Sequence, residues 1–197
     1  MFHPMTGRTP LKLTTDEVVD LLVRLYGLDP AKESALRPRL KHFQRLGFPE
    51  GVNPGTGRVA LYGVKQIFQL ALAMELTALG LMPERITKLL LQLHSLDEIM
   101  LSAVGRDRVY LRVFTAGLDP LLSDKSRSDC PADYIDMLPA DKISGALSGP
   151  QDEHYPRVSL IDLTELDNRL YSGLGSARHG EFIGEVRSWH SQSRLEI

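Results

Sequence analysis

The chain has 197 residues, 43% of them hydrophobic and 24% charged, with 16 glycines, 12 prolines and a formal net charge of −2. Those values exclude collagenous, low-complexity and wholly disordered chains, and the length can bury a core without disulfides or a structural metal. No apolar stretch approaches the roughly 20 residues that span a bilayer, and Met1-Phe2-His3-Pro4-Met5 has no basic region followed by a hydrophobic one, so a cytoplasmic protein without a membrane partner is expected.

Thr14-Thr15-Asp16-Glu17 predicts a helix start, because a Thr cap satisfies free N–H groups and acids complement the dipole. Val18, Leu21, Leu22 and Leu25 continue it as one apolar face, ended by Gly27 and Pro30. A second helix is expected to begin between Ser34 and Pro38 and to reach Leu46, with Leu36, Leu40 and Phe43 on its apolar face. Pro38 belongs in its first turn or at a break, since an interior proline loses a hydrogen bond and clashes. Phe48 to Val59 predicts a short β-hairpin around Pro54-Gly55. A third helix runs from Val64 to Leu79 and a fourth from Glu84 to Leu93, each with an apolar stripe at helical spacing. Ser95-Leu96-Asp97-Glu98 reads as the capping box of a short fifth helix ending by Gly105. Arg108 to Thr115 and Arg157 to Ile161 read as strands, being rich in β-branched and apolar residues. Between them, 119–155 reads as a long loop with one helical turn around Ala132–Leu138. A helix starts near Leu163, and Gly175–Ile197 reads as a polar tail in which Phe182, Ile183, Val186 and Trp189 permit one small amphipathic turn.

Sites for chemistry do not emerge. His3, His42, His94, His154, His179 and His190 show no metal-ligand spacing, no GxSxG or nucleotide fingerprint occurs, and Gly55-Thr56-Gly57 is not followed by Lys-Ser/Thr. Cys130 lies in a polar stretch with Arg127 as its one basic neighbour and reads as an incidental free thiol. No enzyme activity, cofactor or metal is therefore expected.

Charge is more informative. Residues 1–65 hold ten basic against six acidic residues, a balance of +4, while 66–197 hold thirteen against nineteen, a balance of −6. Within 37–58 stand Arg37, Arg39, Lys41, Arg45 and Arg58, with Glu50 the only acid. At 100° per residue, Arg37, Lys41, Gln44 and Arg45 fall opposite Leu36, Leu40 and Phe43. One face would bury itself, and the other would offer cations and an amide suited to a major groove. Asn53, Thr56 and Arg58 in the hairpin suit phosphate or minor-groove contact. The order helix, helix, hairpin, helix, helix then describes a winged helix-turn-helix.

Leu40-Lys41-His42-Phe43-Gln44-Arg45-Leu46-Gly47-Phe48-Pro49 resembles the second-helix segment of MerR-type regulators. Arg58-Val59-Ala60-Leu61-Tyr62 is similar to that family's wing exit, and Leu76 to Ile86 to its LxxLGxxxxxI joint between the third and fourth helices. The resemblance covers roughly residues 13–93. It implies that Lys41 takes the place of a phosphate-contacting Arg, that His42 replaces an aromatic lying against the backbone, and that Arg58 is the wing base. Phe43 reads as core, and Tyr62 either packs under the wing or touches phosphate. The link between the first two helices is longer than in the family, no long helix follows the fourth, and no Cys pair or large effector domain is present. Metal sensing, coiled-coil dimerisation and activation by DNA untwisting therefore do not carry over.

The expected fold is mainly α. A flexible 1–12 precedes a MerR-like winged helix over 13–105, then a small α/β element over 106–175 and a polar tail over 176–197. The expected function is that of a bacterial, nucleoid-associated transcription regulator. It would bind double-stranded DNA as a homodimer on an inverted repeat, joined through the C-terminal element. Arg37, Arg39, Lys41, His42, Gln44, Arg45, Asn53, Thr56, Arg58 and Tyr62 are its candidate DNA contacts. The alternatives are a protein-interaction adaptor on the same scaffold and an excisionase-like protein that bends DNA.

Overall fold

Thr14 starts the first helix by a reciprocal arrangement. Its Oγ1 accepts from the Glu17 N–H at 3.3 Å, and Glu17 Oε2 accepts from the Thr14 N–H at 2.9 Å. That backbone bond, with the Thr14 hydroxyl, holds the Glu17 carboxyl below its ordinary range. The computed structural model describes residues 10–29, 31, 33–52, 59–92, 96–105, 107–114, 134–148 and 158–193. The turn Pro54-Gly55, the candidates Asn53, Thr56 and Arg58, the cap Ser95 and Cys130 lie outside the described residues.

The N-terminal elements are β1 (Leu13–Thr14), α1 (Thr15–Leu25), α2 (Glu33–Arg45), β2 (Leu61–Tyr62), α3 (Val64–Ala78), α4 (Pro83–Leu91) and α5 (Leu96–Ala103). They are followed by β3 (Val109–Phe114), β4 (Tyr134–Pro139), a short 3-10 turn, α6 (Ile143–Ser148), β5 (Val158–Asp162), α7 (Leu163–Leu174) and α8 (Ser176–Ser193). The described residues are thus mainly helical, with two small antiparallel sheets among them.

Four local expectations are corrected. Pro38 sits at the sixth position of α2, which continues through it without a break. The carbonyl that its missing N–H leaves unmatched belongs to Ser34, which is exposed, so water can satisfy it. The described residues 48–52 and 59 of the expected hairpin contain no strand; β2 pairs instead with β1, Leu13 opposite Tyr62 and Thr14 opposite Leu61. The helical turn expected around Ala132–Leu138 is strand β4, and α6 follows it within the expected loop. β4 is strand because β3 supplies its partners, with Ile135 opposite Val113, Met137 opposite Leu111, and Asp136 opposite Arg112, which grips it through two hydrogen bonds. The expected polar tail is largely α8, an 18-residue helix. Its inner face is Phe182 and Val186 with a buried histidine, His179, which bonds Asp167 at 2.9 Å and stacks on Phe182. Burial pushes the Asp167 carboxyl up, against the lowering effect of that bond.

The three-stranded sheet runs β4-β3-β5, with Leu111, Val113, Ile135 and Ile161 buried. α7 packs on β3, α5 and α1, while α8 packs on α5, α7 and α3. One hydrophobic core therefore extends from Leu11 to Val186, and the apolar residues of the C-terminal element are used inside it. Gly173 permits the closest approach, since a Cβ there would stand 2.6 Å from Leu21 Cδ1 on α1. Beside this contact Arg169 of α7 reaches Glu75 of α3 at 2.9 Å and lies over the Tyr26 ring. The Tyr26 hydroxyl donates to the Ala71 carbonyl at 2.8 Å. Burial, reinforced by Glu75, pushes its pKa far above the ordinary phenol range.

Gly173→Leu should overpack this contact and lower unfolding stability by about 1–3 kcal/mol. Urea denaturation followed by circular dichroism measures it. An unchanged midpoint would mean that α7 does not press on Leu21.

Candidate nucleic-acid interface

Three apolar side chains orient α2. Leu36, Leu40 and Phe43 are buried, each gaining roughly 1.5–3 kcal/mol by leaving water. Phe43 packs against Phe48, their ring centroids 5.6 Å apart. With that stripe inward, Ser34, Arg37, Pro38, Lys41, Gln44 and Arg45 line one open groove of about 680 Å³. All four residues expected on the outward face are among them. No acid lines the groove among the described residues.

Acids stand at its borders instead. Arg37 Nη1 donates to Asp16 Oδ1 of α1 at 2.6 Å, an exposed pair that contributes little to stability. On the other side His42 Nε2 lies 3.0 Å from Glu84 Oε1, and Arg45 Nη2 lies 3.3 Å from His42 Nδ1. Glu84 sits in the first turn of α4. Its own backbone N–H, and then the His42 hydrogen bond, hold its carboxyl below the ordinary range. Lys41 is exposed, with no ion-pair partner among the described residues. Arg39 is exposed outside the groove lining.

Tyr62 packs rather than presenting itself to a ligand. It is 1% exposed, and its hydroxyl accepts from Gln44 Nε2 at 2.5 Å. Its candidacy as a phosphate contact is thereby corrected: β1 and the core close over the ring. Gln44 lines the groove, but one of its two N–H groups is engaged with this buried hydroxyl. Nearby, Gln66 accepts from the Gly63 N–H at 3.0 Å and donates to the Glu50 carbonyl at 3.2 Å, tying the loop at Gly51 to the start of α3.

Asp16 and Glu84 are site residues that sequence reasoning missed. Asp16 was legible only as a helix-start acid. Glu84 is 42 residues from His42 and meets it only because α4 packs beside α2.

No protein-family model matches this chain, and neither does a curated protein or a solved structure. Among the described residues there is no group of three or more His, Cys, Asp or Glu arranged to hold a metal ion. No helix among them is long and apolar enough to cross a membrane.

Tyr62→Phe should remove the acceptor of Gln44 while keeping the ring in place. Loss of one such bond costs about 0.5–1.5 kcal/mol, readable in a thermal melt. A melt identical to wild type would place the Gln44 amide elsewhere.

Proposed function

We propose that residues 13–105 form a MerR-like winged helix-turn-helix that binds double-stranded DNA and regulates transcription. In this reading α2 enters the major groove, and the segment that includes Asn53, Thr56 and Arg58 acts as the wing. The observation that carries the proposal is the outward face of α2, where Arg37, Lys41 and Arg45 line one groove free of acids among the described residues. A cationic ridge on a helix held by its buried stripe is the electrostatic footprint of a groove-reading element. Arginine suits guanine edges bidentately, and lysine suits phosphate as a point charge. The local +4 balance of residues 1–65, set against −6 in the remainder, supports binding through this end of the molecule.

A second copy on an inverted repeat belongs to the proposal, because one small module reads too few base pairs to be selective. A chain that sedimented as a monomer both alone and on its selected duplex would overturn that part.

Binding across a salt series tests the reading. Lys41→Ala should weaken binding to every duplex alike and reduce the salt slope by about one phosphate contact. Arg45→Ala should instead relax preference at a particular base pair, by about 1–3 kcal/mol. No binding to any duplex at low salt would contradict the proposal and favour a protein-docking role for the scaffold. Binding without sequence preference would leave an architectural role.

A further inference from the structure

Two arginines of the groove have partners at its borders: Arg37 meets Asp16 of α1, and Arg45 meets His42, which in turn meets Glu84 of α4. A guanidinium has only N–H donors, so Arg45 Nη2 must donate to His42 Nδ1 across their 3.3 Å separation. A neutral imidazole that accepts at Nδ1 carries its proton at Nε2, and that N–H donates to Glu84 Oε1 at 3.0 Å. Glu84 stands in the first turn of α4. His42 thus bridges a carboxylate of α4 and the Arg45 guanidinium of α2.

We infer that Glu84, acting through His42, is a positioning residue that sets the plane of the Arg45 guanidinium at one end of the α2 groove, and so makes Arg45 the base-reading cation of the site. The inference rests on the DNA-binding reading above. Bidentate recognition of a guanine edge needs a guanidinium in one plane, and a side chain already held gives up less rotamer freedom on binding. Lys41 has no such holder among the described residues and remains a flexible point charge for phosphate. Arg37 is held by Asp16 from α1 at 2.6 Å, on the other border.

The test uses the full chain and the base pair whose preference Arg45→Ala abolishes. His42→Leu should lower that preference about 5-fold or more, the lower end of a bidentate contact. Glu84→Ala should lower it similarly while raising affinity for a scrambled duplex, because an acid beside the groove has gone. His42→Gln should keep the preference, since a glutamine amide can accept from Arg45 and donate to Glu84. Retention of the preference in His42→Leu, or its loss in His42→Gln, would overturn the relay while leaving DNA binding intact. A wild-type chain that binds no duplex would overturn both.

Discussion

Burial of Leu36, Leu40 and Phe43 fixes the orientation of α2, and every feature of the candidate interface depends on it. A helix with one apolar stripe has one stable rotation against a core. Once Phe43 is packed against Phe48 and covered from water, Arg37, Lys41 and Arg45 have nowhere to go but outward. The same core reaches through to the groove at one point, where the buried Tyr62 hydroxyl holds the amide of Gln44. Apolar packing sets where the cations stand, and the border acids Asp16 and Glu84 adjust how they are held.

The C-terminal half supports this arrangement from behind. α7 lies on α1 through the close approach at Gly173, and the Arg169–Glu75 pair fastens α7 to α3. Arg178 of α8 reaches Glu17, the acid of the α1 capping box, at 3.1 Å. α1 therefore contacts both α2 and α7. The β-rich, apolar sequence after residue 106, expected to join two copies, completes the core begun by α1, α3 and α5.

The sequence made the helices of the first half legible because their signals are local. The capping residues at Thr14, the 3–4 spacing of apolar residues and Pro83 at the start of α4 are each read within one or two turns. The outward cations of α2 were legible for the same reason. Elements whose cause lies far along the chain were not. β4 is short and surrounded by polar sequence, and its strand character comes from β3, whose paired residues lie twenty or more positions earlier. α8 looked polar because a histidine occupies an inward position; counting His179 with Phe182 and Val186 completes a helical face. Pro38 was read by the general cost of an interior proline, which an exposed carbonyl at Ser34 lowers. Tyr62 had two chemically reasonable roles, and only its pairing with β1 and its burial separated them. The Glu84–His42–Arg45 chain required the packing of α4 beside α2, which no local pattern encodes.

The most direct test of the account is where nucleic acid touches the molecule. Backbone amide shifts of the isotope-labelled full chain, recorded while a random-sequence duplex is added at low salt, report this residue by residue. The account predicts shifts along Ser34 to Arg45 and at the start of α4 around Glu84, with β3, β4 and β5 unmoved. Shifts centred on the three-stranded sheet, or none at all, would contradict it.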